Sequence, residues 1–497
     1  MLVLIGKWLS WMFPDNWNPI RNLGALSFYL FWIVTITGVY LFIFFETSID
    51  GAWQSVEKIS NNQFYVGSII RGLHRFASAA MAVTVTAHLI RELMLKRYAG
   101  ARWFSWVSGV PLLWLLFASA LGGYWLVWDE RAQYIALTSA ALFDVFPIVV
   151  EPMAFGFVTQ DVVSDRFFSL LIFLHVGVPL SLLLGMFIHI QRINHSKTIP
   201  AKGLAICVLT ALVFLSVLMP VSSMPQANLD RTLGSIEMDW FYMNLFPFVD
   251  LWGPNAVWGI LGSITLMLTM LPLTARRSHD VARVDPEFCN GCSWCYADCP
   301  FDAIMMKPHA FKKNKRQAVV IEDRCVGCGI CAGACPSVTP FKSVNEANSG
   351  INLVGRKNFD VLSELKIKLE EATGANKILI VGCDYGTDVK QFEDVQVVTE
   401  TLECIGQLPP SYMDYLCRKK GVGAVLLTGC RSDDCYHRLG VELQQERLVR
   451  LREPHIKYAD VGEKIDKLWI GKGGEKEIAS HIKVVKKMLQ ENGAEIG

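Results

Sequence analysis

Apolar residues dominate the first 275 positions of the chain, where long uncharged runs alternate with short polar segments. A helix crosses the hydrocarbon core of a bilayer with roughly 20 apolar residues. The run at 72–95 holds charges only near its ends, where long charged side chains reach the lipid headgroups. Five further runs of sufficient length are uncharged, at 22–45, 103–128, 167–191, 203–229 and 251–275. The pattern predicts an α-helical membrane bundle of six spans over residues 1–275.

Two other segments of this region are expected to lie at the membrane surface. MLVLIGKWLSWMF at the start of the chain is apolar but short, and no small-residue cleavage site follows it. We expect an amphipathic surface helix there and no cleaved leader. Segment 132–150 contains Asp144 and Pro147, which favour a helix along the surface over a span.

The charges between the spans predict the orientation of the bundle. The loops 91–105 and 191–202 are rich in Lys and Arg, and Arg276 and Arg277 follow the last span. The alternate loops carry mostly Asp and Glu. By the positive-inside rule, both ends of the bundle face the cytoplasm. We therefore expect a multi-pass protein of a prokaryotic cytoplasmic membrane, with the remainder of the chain in the reducing cytoplasm.

Four histidines share one spacing within two of the predicted spans. His74 and His88 are fourteen residues apart, and so are His175 and His189. Fourteen residues make about 3.9 helical turns, so each pair lies on one helix face with a rise of about 21 Å. Both spans run in the same direction, so His74 meets His175 near the outer surface and His88 meets His189 near the inner surface. This geometry predicts two bis-histidine heme sites, one above the other, in a diheme four-helix core.

Glycines repeat the same spacing in two neighbouring spans, as Gly24 with Gly38 and Gly109 with Gly123. Glycine allows a backbone to approach closely, which leaves room for a porphyrin between helices. Arg71 and Arg91 each lie three residues from a histidine, within reach of heme propionates.

This region resembles the cytochrome b subunit of quinol–cytochrome c oxidoreductases, through NLGALSFYLFWIVTITG, RGLHRFAS and HVGVPLSLLLGMFIH. The resemblance implies two b hemes on the four histidines and quinone as substrate. The outer quinone motif of that family, Pro-Glu-Trp-Tyr, has its nearest match in Asp239, Trp240 and the nearby Tyr242, without the proline. His195 replaces the family's carboxylate at the inner quinone site. Asp239 and Trp240 are equally well explained as a surface loop with an interfacial aromatic residue.

Eight cysteines follow in two runs, CNGCSWCYADCP at 289–300 and CVGCGICAGACP at 325–336. Each run has the bacterial ferredoxin spacing, in which the fourth cysteine ligates the other cluster. The spacing therefore predicts two [4Fe-4S] sites, one on Cys289, Cys292, Cys295 and Cys335, and one on Cys325, Cys328, Cys331 and Cys299. Zinc is compatible with CxxC pairs alone, but not with this doubled spacing. We expect a ferredoxin-like α+β domain at 276–340, in which the turn FKKNKRQ is either solvated or a basic patch for an acidic partner.

The last part of the chain reads as a small α/β domain at 376–497, joined by a polar linker at 341–375. KILIVGC and GVGAVLLTGC are short, β-branched and end in cysteine, as buried strands do. With ECIGQLPP and LLTGCRSDDCYHRLG, this part resembles the delta subunit of methyl-viologen-reducing hydrogenase. The resemblance implies a [2Fe-2S] cluster on Cys383, Cys404, Cys430 and Cys435, and a heterodisulfide-reductase-like partner. Ser432, Asp433 and Asp434 stand where that family has Gly-Asp. Four unrelated buried thiols are the alternative.

Function follows from the ligand sets, because no hydrolase or nucleotide-binding motif accompanies them. The net charge of +1 gives no reason to expect nucleic acid as a partner. We expect a quinone-linked oxidoreductase subunit of a larger complex, which exchanges electrons with a soluble heterodisulfide-reductase-like or flavin-containing protein. The resemblance to cytochrome b implies that this complex is dimeric. The alternatives are a bc-type quinol oxidase module and a non-enzymatic anchor and relay with quinone chemistry elsewhere. We further expect electrons to enter at the [2Fe-2S] domain, because the linker would let it extend away from the membrane.

Overall fold

The computed structural model describes residues 12–13, 17–146, 164–191, 197–231, 233–275, 280–337, 349–374 and 376–494. The predicted surface helix at the start of the chain and the end of segment 132–150 lie largely outside these residues. The membrane region contains helices α1 to α9, at Leu23–Phe44, Gly51–Asn62, Val66–Met94, Trp103–Val127, Glu130–Phe143, Asp165–Gln191, Lys202–Leu218, Phe246–Trp252 and Pro254–Met270. Short 3-10 turns lie at Pro19–Arg21, Gly100–Arg102 and Leu271–Ala275.

Four of the described helices are long and apolar enough to cross a membrane: Leu23–Phe44, Trp103–Val127, Asp165–Ile190 and Pro254–Thr274. The helix α7 is apolar but only 17 residues long. The helix α3 has 29 residues, but Arg71, Arg75 and Arg91 make it less apolar than the others. The count of six spans therefore stays a prediction, while the membrane character of the region is clear. Apolar side chains cover its outer face, and Ile36, Phe173 and Phe214 are each more than 60% exposed.

The centre of the bundle is formed by α1, α3, α4 and α6. The helix α1 packs along α3, α4 packs along α6, and α7 covers the outer side of α3. A buried layer of apolar side chains crosses this core halfway along the helices, from Leu30 and Phe31 through Ala77 and Met81 to Leu116 and Leu182. This layer separates the two ends of the four-helix core, where the histidines lie.

The region after the membrane helices contains strands β1 to β8, at Ala282–Val284, Ile304–Pro308, Arg316–Val320, Ile351–Leu353, Lys377–Cys383, Val397–Leu402, Val422–Thr428 and Ile465–Leu468. Its helices α10 to α16 lie at Trp294–Ala297, Ile330–Gly333, Asn358–Glu371, Pro410–Lys419, Gly440–Leu448, Ala459–Gly462 and Glu475–Ala494, with 3-10 turns at Glu322–Arg324, Lys390–Phe392 and Ile405–Gln407. Strand β1 pairs with β4 and β2 with β3, both antiparallel. A parallel sheet of order β6-β5-β7-β8 follows.

The segment predicted as a linker, 341–375, is part of the folded structure where it is described. Ile351–Leu353 is strand β4, which completes the sheet of the ferredoxin-like domain by pairing with β1. The helix α12 at Asn358–Glu371 buries Leu362 and Leu365 in a core shared with the C-terminal sheet. The linker prediction is therefore wrong. The polar composition came from the exposed face of an amphipathic helix, whose apolar positions repeat every three or four residues.

The two domains that follow the membrane region form one packed body. A single core contains Cys295, Cys331 and Cys335 of the first domain together with Cys383 and Cys430 of the second. Beside this core, the guanidinium of Arg447 on α14 is fully buried. It donates to Asp298 Oδ2 at 2.5 Å and to the carbonyl of Gly406 at 3.0 Å.

We expect Asp298→Ala to loosen this domain contact strongly. Removing one partner of a buried ion pair leaves an uncompensated charge and costs about 3–5 kcal/mol. The free energy of local opening in α14, measured by hydrogen–deuterium exchange on the purified full chain, should fall by that amount. Asp323→Ala, at an exposed carboxylate of the same domain, is the matched control and should leave exchange in α14 unchanged. Equal exchange in both variants would contradict a structural role for the pair.

Candidate heme and iron–sulfur centres

The outer histidine pair lies on facing helices at one end of the four-helix core. The rings of His74 on α3 and His175 on α6 have centroids 6.4 Å apart and an interplanar angle of 64°. Gly38 and Gly123 face them from α1 and α4. A Cβ atom at these glycines would lie 3.1 Å from His74 Cε1 and 3.0 Å from His175 Cε1. The absence of a side chain at both positions therefore lets each ring lie against the neighbouring helix.

The inner pair repeats this arrangement at the other end of the core. His189 faces Gly109, where a Cβ would lie 3.3 Å from Cε1, and His88 faces Gly24, with a corresponding 3.6 Å. Each of the four predicted histidines therefore lies against a glycine at the same height in a neighbouring helix.

Hydrogen bonds hold three of the four imidazole rings through Nδ1. His74 Nδ1 lies 3.1 Å from both the carbonyl of Val34 and the hydroxyl of Thr37. His175 Nδ1 lies 3.0 Å from the carbonyl of Ser119, and His189 Nδ1 lies 3.0 Å from Ser108 Oγ. Among the described residues, Nδ1 of His88 is buried with no hydrogen-bond partner. Donation from Nδ1 to a carbonyl leaves the Nε2 lone pair free, as an axial heme ligand requires.

A cavity of about 680 Å³ opens beside the outer pair. His74, His175, Gly38 and Gly123 line it, and most of its remaining wall is apolar. A volume of this order is typical of a cofactor or ligand site, which lies between about 300 and 1,000 Å³. Ligand histidines, small residues and apolar walls together fit a porphyrin.

The two predicted propionate partners behave differently. Arg71 lines the cavity, and its guanidinium donates to Ser60 Oγ at 2.6 Å and to Ser223 Oγ at 2.7 Å. Arg91 is buried, and its guanidinium binds Glu92 and Asp434, each at 2.6 Å. For Arg91 the structure therefore gives a partner that the sequence prediction did not include, a carboxylate 343 residues away.

The eight ferredoxin-type cysteines gather in two sets. Burial and, after it, the neighbouring Cys335, Cys292 and Cys289 together raise the pKa of the Cys295 thiol to about 12. Burial also raises the pKa of Cys328, where Cys299 and Cys325 are the neighbours. The fourth cysteine of each run therefore lies with the first three of the other run. Backbone amides of Ala282 and Ala303 donate to the sulfurs of Cys325 and Cys299, at 3.4 and 3.3 Å.

Within the described residues, no three His, Cys, Asp or Glu side chains converge on a point where they could hold a single metal ion. Iron–sulfur cubanes do not require such convergence, because each thiolate binds a different iron at the corner of the cluster.

Four more cysteines meet at the carboxyl end of the parallel sheet. Cys383 ends β5, Cys404 follows β6, and Cys430 follows β7 by two residues. The sulfurs of Cys383 and Cys430 are 3.7 Å apart, and Cys435 lies against both Cys404 and Cys430. All four are buried. Below, Cys383, Cys404, Cys430 and Cys435 are called the four-thiol site.

The loop between the last two thiols binds the inner end of the membrane region. Asp434 Oδ2 accepts from Arg91 at 2.6 Å, and Oδ1 accepts from Arg97 at 2.7 Å. Burial alone would raise the pKa of the Asp434 carboxyl, but Arg97 and Arg91 lower it to about 2. Arg102 donates to the carbonyl of Tyr436 at 2.8 Å and lies over its ring, 5.2 Å from the centroid. Because Arg91 lies three residues from His88, these contacts bring the four-thiol site to the inner histidine pair.

The opposite side of the four-thiol site packs on the ferredoxin-like domain. Cys404 shares a buried apolar cluster with Cys328, Ile330 and Leu443. Gly440 lies against the sulfur of Cys404, and its missing side chain leaves the space that this sulfur occupies. The four-thiol site therefore lies between the Cys328 set and the inner histidine pair.

This arrangement contradicts the expectation that the C-terminal domain extends away from the membrane. That expectation depended on a flexible linker, and the described part of 341–375 is folded into both domains. The functional residues that sequence reasoning missed are Arg97, Arg102 and Tyr436. A signal for them was present, since Asp433 and Asp434 replace the Gly-Asp of the similar family. Asp433 accepts from Arg21 at 2.9 Å, so both acids of the replacement bind arginines of the membrane region.

The structure brings together only some of the residues that were predicted to bind quinone. Asp239 is buried, forms an ion pair with Arg75 and accepts from the amide of Tyr242 at 2.6 Å. Tyr242 is buried, lines the cavity of the outer pair and donates to the carbonyl of Ser78 at 2.9 Å. Trp240 is 62% exposed, and neither it nor Asp239 lines that cavity. His195 lies outside the described residues.

Comparisons with known proteins agree with two of the predicted regions. Residues 8–197 match the family Cytochrome b/b6/petB, and residues 288–338 match the 4Fe-4S dicluster domain. Cytochrome b of Acanthamoeba castellanii is 26% identical over 52% of this chain and 74% of its own length. Cytochrome b of Rickettsia typhi is 30% identical, but the match spans only 38% of this chain and 49% of that protein.

Two other matches have lower identity. The menaquinol:cytochrome c reductase cytochrome b subunit of Bacillus subtilis is 24% identical over 36% of this chain and 85% of its own length. A solved chain of a hyperthermophilic respiratory Complex III covers 51% of this chain at 20% identity, with a TM-score of 0.41. The matches support a cytochrome b-like membrane region and a 4Fe-4S dicluster domain in this chain, which imply membrane electron transfer with heme b and 4Fe-4S clusters. The resemblance of residues 375–492 to a hydrogenase delta subunit stays a prediction.

Proposed function

We propose that this chain carries electrons between a soluble protein in the cytoplasm and quinone in a prokaryotic inner membrane, as one subunit of a larger redox complex. The observation that carries this proposal is the position of the four-thiol site, between the dicluster domain and the inner histidine pair. A cofactor held by these buried thiols would lie between the two neighbouring cofactor sites. It could therefore relay electrons from one to the other. The names of the cytochrome b relatives, which include a menaquinol reductase, support quinone as the membrane partner.

The cofactors would be held by the ligand sets described above. His74 and His175 would hold the outer b heme, and His88 and His189 the inner one. When bound, the hemes and clusters would accept and donate single electrons. The protein would set the distances between them and their reduction potentials. The buried arginines at Asp434 fix the distance between the four-thiol site and the inner pair, because they join the two domains by charge-assisted hydrogen bonds.

We assign a [2Fe-2S] cluster to the four-thiol site. Two thiolates that share one tetrahedral metal, with bonds of about 2.3 Å, stand about 3.8 Å apart. The sulfurs of Cys383 and Cys430 are 3.7 Å apart, and Cys404 has Cys435 as its nearest thiol partner. Two such pairs side by side fit the two irons of a [2Fe-2S] cluster. A single zinc ion on the same four thiols is the alternative that metal analysis distinguishes.

Quinone would bind near the outer pair, beside the part of the heme cavity wall that Tyr242 forms. Arg75 and Asp239 hold the turn that carries Tyr242, and its hydroxyl lies at Ser78, one helical turn from His74. In this proposal Asp239 is a positioning residue, since both of its oxygens are already bound by Arg75 and by the amides of Phe241 and Tyr242. Trp240 contributes to the membrane surface rather than to the site.

Cofactor analysis of the purified chain tests the proposal. We expect two b hemes and about ten non-heme irons per chain, eight on the ferredoxin-type cysteines and two at the four-thiol site. Heme is measured by its pyridine adduct, and iron, labile sulfide and zinc by chemical analysis. About four non-heme irons with zinc present would contradict the dicluster assignment. About eight irons and one zinc would contradict the [2Fe-2S] assignment alone.

A further inference from the structure

The end of the dicluster domain that faces away from the four-thiol site carries an exposed metal-ligand cysteine. Cys292 is exposed, whereas Cys328 and Cys331 of the other set are buried against the C-terminal domain. Electrons that pass between this chain and another protein must cross an exposed surface close to a cofactor. At Cys292 the dicluster domain has an exposed surface of this kind, close to a proposed cluster.

The hairpin of strands β2 and β3 lies directly beside this cysteine. The ammonium of Lys312 donates to the carbonyl of Cys289 at 2.7 Å, and His309 Nε2 lies 3.1 Å from the same oxygen. The backbone of Arg316 contacts Gly291, which has a positive φ of 77° and no room for a side chain. The hairpin and the first cysteine loop therefore form one surface, which we call the hairpin face.

The hairpin face combines cations with exposed aromatic rings. Five cations and no acid lie between Ala303 and Ile321: Lys307, Lys312, Lys313, Lys315 and Arg316. All except Lys312 are exposed. Phe311 at the hairpin tip is 72% exposed and Phe288, next to Cys289, is 39% exposed. The acids Asp285 and Glu287 stand near Phe288, but every charge on the hairpin itself is positive. Exposed apolar side chains beside a cluster of like charges are typical of a transient protein interface.

From these observations we propose that a small acidic electron-carrier protein docks on the hairpin face, next to the site held by Cys289, Cys292, Cys295 and Cys335. This inference rests on the proposed function and names the chemistry of its soluble partner. The partner gives up one electron and the site gains it, so no proton or bond change is required. The cations of the hairpin attract the partner, and Phe311 and Phe288 provide its apolar contact.

Binding of an acidic flavodoxin to the purified full chain, measured by biolayer interferometry in detergent, tests the proposal without any turnover. The variant Lys313→Glu/Lys315→Glu reverses two exposed charges of the hairpin that make no hydrogen bond or ion pair of their own within the described structure. We expect its affinity for flavodoxin to be at least about tenfold weaker than that of the unmodified chain. The unmodified chain should also lose affinity as salt is raised, because exposed charges are screened.

The matched control is Lys483→Glu/Lys487→Glu, which makes the same charge change on exposed positions of α16. Equal weakening in both variants, or in neither, overturns the proposal, as does no binding of flavodoxin at low salt. Binding to vesicles of anionic phosphatidylglycerol that is lost in the hairpin variant alone would assign the face to lipid and also overturn it. Iron and heme are counted in every preparation. A chain without clusters therefore contradicts the proposed function, whereas a fully loaded chain without hairpin-dependent binding contradicts only the docking.

Discussion

His74→Ala and His175→Ala should each remove the same heme and leave the other one intact. The two rings are 6.4 Å apart, line one cavity and lie at one end of the four-helix core. Loss of either axial ligand leaves the iron of that site without its bis-histidine coordination. Heme content should fall from two per chain to one, and potentiometric titration of the visible spectrum should show the same single remaining component in both variants.

The control for this prediction comes from the last membrane helix, α9. In Gly262→Ala the new methyl group enters open space away from the cavity, so the spectrum should not change. Gly123→Ala, in contrast, places a methyl group 3.0 Å from His175 Cε1 and should disturb the outer heme selectively. If His74→Ala and His175→Ala removed different hemes, the pairing of the histidines would be wrong.

Cys430→Ser/Cys435→Ser should nearly abolish reduction of the hemes by a soluble donor, while reduction by added quinol continues at its normal rate. The double variant removes half of the four-thiol site, which lies between the dicluster domain and the inner histidine pair. Stopped-flow absorbance of the hemes, with reduced flavodoxin in one experiment and a quinol in the other, measures the two rates. Non-heme iron should fall by about two per chain.

Cys417→Ser is the matched control, because Cys417 is a buried cysteine of the same domain that does not belong to the four-thiol site. It should retain both rates and the full iron content. If the double variant accepted electrons from flavodoxin at the normal rate, transfer to the hemes would bypass the four-thiol site. The C-terminal domain would then be a structural adaptor.

The sequence was sufficient to predict which of the four histidines and of the eight ferredoxin-type cysteines come together, because these positions depend on local spacing. A helix has a fixed rise and twist, so the separation of His74 from His88 is decided within one helix and can be read from the numbering. The glycines at the same levels follow for the same reason. The pairing of Cys299 with the second cysteine run was predictable because, in the bacterial ferredoxin spacing, the fourth cysteine of each run ligates the other cluster.

The order of the domains in space was decided by contacts between residues far apart in the chain. Distance along the sequence suggested that the ferredoxin-like domain lies next to the hemes, since it begins shortly after the last span. The structure has the four-thiol site there instead, because Asp434 binds Arg91 and Arg97 more than 330 residues earlier in the chain. The buried pair of Arg447 with Asp298 then fixes the dicluster domain on the far side. No periodicity or motif spacing encodes such pairs. A buried charge is stable only next to an opposite charge. Which residue provides that opposite charge is decided by the tertiary structure.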